Sequence, residues 1–134
     1  MGDQWTLLIL RNACFGMQRF EQFQTDLNIS RATLTNRLTA LVQEGFFTRE
    51  PYQDNPPRDR YVLTDKGRAF FDVILAMWRF GDEWLFSNGA PVEIRTRDGA
   101  PIVPVVLNET TGAPTDCREV RVRIRRRLTT TNDD

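Results

Sequence analysis

The sequence predicts an α+β fold, mainly helical, and three observations predict it. The stretch 27–46 carries Leu34, Leu38, Leu41 and Val42 as one apolar stripe at helical spacing. A second amphipathic stretch, 19–26, ends only three residues before Ser30, a link of the length that joins two helices at a sharp angle. Directly behind come two aromatic and β-branched runs, 46–52 and 60–63, on either side of the proline-containing stretch QDNPPRD. Two short helices followed by a hairpin give the order of a helix-turn-helix with a wing.

Each element has its own justification. WTLLILRNA, residues 5–13, is apolar on nearly every side except at Arg11 and Asn12, which suits a helix covered twice, once by its own core. Cys14 at its end reads as a small core residue. Residues 15–17 form a turn, and Phe20, Phe23 and Leu27 then line one side of the first helix of the pair. Ser30 caps the second helix with its hydroxyl oxygen, and Gly45 ends it in a left-handed conformation. Opposite the leucine stripe lie Thr33, Asn36, Thr39 and Ala40, flanked by Arg31 and Arg37, with no acidic residue until Glu44. A short, polar, acid-free face can enter a major groove without repelling phosphate.

Pro56 and Pro57 cannot donate to a ladder, so 53–59 reads as a rigid hairpin tip. Arg58 and Arg60 on its returning side read equally as phosphate contacts or as simply solvent-exposed charges, with Asp54 and Asp59 tempering them. Thr64 and Asp65 start one long helix as cap and first-turn acid. Phe70, Ile74, Met77 and Trp84 mark one of its faces, and Phe71, Leu75, Trp78 and Leu85 a neighbouring one. So broad an apolar arc implies a partner surface, most economically a second copy of the chain in a two-fold dimer. Trp5, Leu8, Leu75, Trp78 and Trp84 are the candidates for that contact.

The domain boundary is expected near Phe86. Residues 1–86 form a winged helix-turn-helix domain with a dimerisation helix, and residues 87–134 a small β-rich extension with a frayed tail. Val92–Leu107 alternates around Asp98 and Gly99 as a hairpin does. Cys117–Leu128 alternates again, with Val120, Val122 and Ile124 on one side and Arg121, Arg123 and Arg125 on the other. The arginine row reads as the solvated face of an edge strand, with an extra strip for DNA as the alternative.

Composition narrows the function. Eighteen basic residues balance eighteen acidic ones, so any basic footprint is local. Histidine is absent, which removes histidine triads, histidine metal sites and histidine acid-base chemistry. An enzyme is not expected, nor a cofactor, nor a metal. Two cysteines far apart in sequence point to a reducing compartment rather than a disulfide scaffold. No leader is visible, and the apolar stretch 70–86 is broken by Asp72, Arg79, Asp82 and Glu83. A soluble, cytoplasmic protein is expected, with no membrane contact.

These elements fall in the order of a known family. The opening WTLLILR, the FGMQRF turn, SRATLTNRL, the wing YQDNPPR, the YVLTDKG junction and WRFGDEW together resemble the HxlR-type winged helix-turn-helix regulators of bacteria. The resemblance covers about two-thirds of the chain. It implies a homodimer on a palindromic operator in double-stranded DNA, regulating transcription, with repression favoured, in response to oxidants, electrophiles or a small-molecule effector. It implies DNA contacts from Thr33, Asn36, Arg37 and Arg58, to which Ser30, Arg31, Thr35 and Arg60 are added from their positions. The competing reading is a small-molecule sensor that keeps the fold, with Phe70, Trp78 and Trp84 lining an aromatic pocket at the dimer interface.

Three departures from the family pattern carry expectations. Only Met1–Gln4 precede Trp5, where relatives carry a further helix and, in the redox-sensing branch, a reactive cysteine; thiol sensing by that route is not expected. Asp59 and Arg60 stand where an apolar residue and an acid are common, adding positive charge to the wing. Gly99, Asn108 and Thr111 stand where some relatives hold a cysteine knuckle, so zinc binding is expected to be lost.

Overall fold

A computed structural model describes residues 3–123 and Arg125. The chain falls into two compact units, 1–103 and 104–134. In the first, α1 (Gln4–Cys14), α2 (Phe20–Leu27) and α3 (Arg31–Gln43) precede the antiparallel strands β1 (Phe47–Asp54) and β2 (Pro57–Leu63), followed by α4 (Asp65–Ala69) and α5 (Phe71–Trp84).

The caps set the helix boundaries. Asp3 accepts the backbone N–H of Thr6 at 3.1 Å and its hydroxyl at 2.8 Å, starting α1. Gln22 reaches back from α2 to accept the N–H of Arg19 at 3.0 Å. Asn28 closes α2 in the left-handed region at φ 48°, which a short polar side chain tolerates. Ser30 accepts the N–H of Thr33 at 3.2 Å, and Gly45 leaves α3 at φ +80°, so both ends of α3 lie where the sequence puts them.

Leu34, Leu38 and Leu41 of α3 are fully buried, together with Ile9 and Leu10 of α1, Phe23 of α2 and Phe47 of β1. Phe23, Phe47 and Tyr61 meet edge to face, with centroids 6.4 Å and 6.1 Å apart, which adds about 0.5–1.5 kcal/mol per pair beyond the area they bury. This core seats α3 with one side down and the other free.

The wing is longer than the sequence suggests. Strands expected at 46–52 and 60–63 extend to Asp54 and begin at Pro57, leaving only Asn55 and Pro56 at the tip. Glu50 pairs with Arg60 and Gln53 with Arg58, with a register shift between Pro51 and Gln53. A two-stranded sheet has only edges, so a proline can turn its missing donor outward and stay in the strand. Gln18 accepts the N–H of Tyr61 at 2.7 Å, and Arg19 bridges to Arg60, so the entrance to α2 is stitched to β2.

The single helix expected from Thr64 is two. Phe70, at ψ −15°, gives a looser turn between α4 and α5, and its ring packs edge-on against Phe46 at 6.3 Å. Thr64 caps α4 by accepting the N–H of Gly67 and donates to the carbonyl of Gly45. A Cβ on Gly67 would stand 2.3 Å from the Phe46 carbonyl oxygen, so only glycine lets α4 lie against the end of α3. On α5, Ile74, Leu75 and Gly81 are buried, while Met77, Phe80 and Trp84 remain 52%, 59% and 71% exposed.

The tail is the main correction. The hairpin expected over Val92–Leu107 is reduced to a turn at 96–100, with Gly99 at φ +87°, and one bridge between Arg95 and Pro101. In the second unit the corresponding features are one bridge, Leu107 to Pro114, and a helical turn at Cys117–Glu119. Pro101, Pro104 and Pro114 remove the donors a ladder needs, and alternation without a partner strand does not make a sheet. The strand expected over Cys117–Leu128 is absent among its described residues; Ile124 and 126–128 lie outside them.

Candidate nucleic-acid interface

The free side of α3 follows from its buried side. With the leucine stripe in the core, Ser30, Arg31, Thr35 and Asn36 are exposed, and Thr33 and Arg37 are half-buried at its margins. The Ser30 hydroxyl donates to Thr33 Oγ1 at 2.8 Å, and Thr35 donates to the Arg31 carbonyl at 2.8 Å. Their oxygens stay able to accept. Asn36 has no protein partner among the described residues, so its amide can make the two-pronged contact that recognises adenine.

The arginines are held rather than loose. Arg37 Nε meets Asp3 at 3.2 Å, Arg58 Nη1 meets Glu21 at 3.4 Å, and Arg60 Nη2 meets Glu50 at 3.2 Å. The Arg31 guanidinium lies 5.0 Å from the ring centroid of Phe20. Exposed pairs of this kind are worth about 0–1 kcal/mol each, so phosphate can displace the carboxylates cheaply. Meanwhile the pairs fix each guanidinium on its element.

The eight residues form two groups. Six lie on α3 or at its cap, and two on β2; among the described residues no hydrogen bond or ion pair joins the groups directly. What fixes their separation is the stitch between β2 and α2 and the packing of α2 on α3. Two further cations stand beside them. Arg49 of β1 meets Asp59 at 3.5 Å, and Arg19 covers the Tyr52 ring at 4.7 Å. The place of Arg49 follows from its strand register opposite Tyr61, which the sequence does not print.

The candidates for a partner surface are unequal. Trp5 and Leu8 are half-buried on α1, and Trp84 is largely exposed. Leu75 is buried within the chain itself, and Trp78 is half-buried with its indole N–H donating to the Val92 carbonyl at 2.6 Å. Of the three aromatics expected around a pocket, Phe70 belongs to the core and Trp78 lines a cavity between α1 and α5. Cys14 is half-buried, and burial pushes its thiol up, away from reactivity. Among the described residues no cluster of histidine, cysteine and carboxylates is arranged to hold a metal, and no helix is long and apolar enough to cross a membrane.

Comparison with known proteins accords with this geometry. The family description "HxlR-like helix-turn-helix" matches residues 1–88. An uncharacterized HTH-type transcriptional regulator of Mycobacterium tuberculosis is 46% identical over 96 residues, which take in 71% of this chain and 61% of that protein. The chain thus spans about six-tenths of the length of that relative. Among solved structures, PA1607, a candidate transcription factor, superposes with a TM-score of 0.80 at 34% identity, over 91% of this chain and 87% of its own. The reduced form of the redox regulator HypR superposes at 0.57 and 30% identity, over 61% and 82%.

Proposed function

The chain belongs to the HxlR-like helix-turn-helix family, and from that premise we propose that it binds double-stranded DNA as a homodimer on a palindromic operator and regulates transcription, with repression the favoured direction. The observation that carries this reading is the seating of α3. Its leucine stripe is fully buried, its opposite side presents Thr33 and Asn36, the latter without a side-chain partner among the described residues, and arginines stand at its flank and on the wing. Two such helices in successive major grooves, with wings on the adjacent backbone, give base reading to Thr33 and Asn36 and anchoring to Arg37 and Arg58. The exposed apolar residues Phe80 and Trp84 of α5 supply the surface for the second copy. A dimer seated on its operator represses by excluding the transcription machinery.

Selection of bound duplexes from a random pool tests the reading. The expected product is a palindrome with half-sites about one helical turn apart. A monomeric chain that enriches no duplex sequence would end it. A second reading, response to a small-molecule effector, is favoured by the cavity between α1 and α5.

A further inference from the structure

That cavity has a volume of about 540 Å³, within the range of small-ligand sites. Leu7 and Leu8 of α1 and Met77 and Trp78 of α5 form two walls, and the strap after α5, with Phe86 and Val92, forms a third. The strap is pinned from α5 at two points. Trp78 Nε1 donates to the Val92 carbonyl at 2.6 Å, and Asp82 accepts the Ala90 N–H at 2.7 Å. A groove left simply for a second helix would not need this third wall.

Polar groups converge at one end. Asn12 is only 3% exposed, accepts both Arg11 Nε and Arg11 Nη2 at 3.0 Å, and donates to Asp26 at 2.6 Å. Both ends of the amide are therefore satisfied and its orientation is fixed. Arg11 lies half-buried on the apolar wall, and among the described residues it has no carboxylate partner; its Nη1 is unused. Asp26, by contrast, is exposed at the rim, where water screens it. The half-buried cation of the lining is therefore Arg11, and the exposed carboxylate of Asp26 is the better screened of the two charges.

We propose that this cavity binds a small apolar carboxylate, of the size of a one- or two-ring aromatic acid, with Arg11 holding the carboxylate and the α1, α5 and strap walls covering the rings. Asp3, the cap of α1, pairs with Arg37 of α3, so the ligand seats against the helix whose cap holds an arginine of α3. Naming the cavity an effector site rests on the regulator reading above; the binding itself does not.

Calorimetric titration of the full chain, without DNA, tests this with 2-naphthoate, 2-naphthalenemethanol and 2-naphthylmethylammonium. The expected result is one saturable naphthoate site per chain, about tenfold or more tighter than the alcohol. Arg11→Gln should lower naphthoate to the level of the alcohol while leaving the alcohol within about twofold, which also shows that the variant is folded; Arg11→Lys should retain part of the preference. Three results overturn the proposal: no saturation by a dimeric chain, which means that a second copy fills the groove; preference for the ammonium, which makes Asp26 the anchor; or an Arg11→Gln variant that binds naphthoate as the wild type does. Because DNA is absent, a chain that reads no operator still returns one of these answers.

Discussion

One oxygen of Asp3 both caps α1 and grips Arg37 of the recognition helix, accepting the Thr6 N–H at 3.1 Å and Arg37 Nε at 3.2 Å across 34 residues of chain. Phosphate at α3 must therefore compete with Asp3 for this guanidinium. Asp3→Asn keeps a good cap and frees Arg37, so duplex affinity at low salt should rise by about two- to fivefold, the scale of one exposed ion pair. Fluorescence anisotropy with a labelled duplex measures this, and unchanged or weaker binding would remove Arg37 from the contact set.

The same carboxylate gives a pH dependence. Desolvation, the largest single influence, raises the pKa of Asp3, but hydrogen bonds from the Thr6 side chain and backbone, with the charge and hydrogen bond of Arg37, together outweigh it, and the value falls below the ordinary 3.8. A lowered folded-state pKa means that the contribution is fully present above the ordinary value and is lost as pH falls through the lowered one. Wild type should exceed Asp3→Asn in thermal stability near neutrality, and the gap should close as the pH falls through the lowered Asp3 value. A gap that persists unchanged at acid pH would detach the cap from the titration.

Arg58 and Asn36 separate anchoring from reading. Arg58→Ala should weaken binding to all sequences alike and reduce the slope of log affinity against log salt by about one. Asn36→Ala should instead relax choice at one operator position, at a cost of about 1–3 kcal/mol for the preferred base. Mobility shifts across salt and across operator variants check both, and identical behaviour of the two variants would defeat the division of roles.

Gly67→Ala should destabilise the chain by about 1–3 kcal/mol, since the new methyl carbon meets the Phe46 carbonyl at 2.3 Å and Leu63 Cδ2 at 2.8 Å. The backbone oxygen cannot swing aside as a flexible side chain can. Urea unfolding checks the shift, and full stability would show that α4 moves freely against α3.

How much could be read from residues alone divides along the range of the forces involved. Ser30, Gly45 and the Leu34, Leu38, Leu41 stripe are local signals, and α3 lies where they put it. Gly67 is visible as a residue in TDKG, but its reason is the Phe46 carbonyl, 21 positions away. The partners of Arg37 and Arg58 were hidden for the same cause, since Asp3 and Glu21 arrive only through the packing of α1 and α2. The tail misled because alternation at Val92–Leu107 reports a strand only when another strand supplies the donors and acceptors, and its prolines withhold them.

The bond from Tyr61 to Gln18, with the Arg19–Arg60 bridge, has a mechanical consequence. Hairpin and helix pair are tied together at the entrance to α2, so that in the proposed complex the part meant for a groove and the part meant to rest beside it act as one die. When such a die meets a duplex of the wrong width, the nucleic acid has to yield. Base steps that bend or narrow readily should therefore be preferred even at positions that no side chain touches.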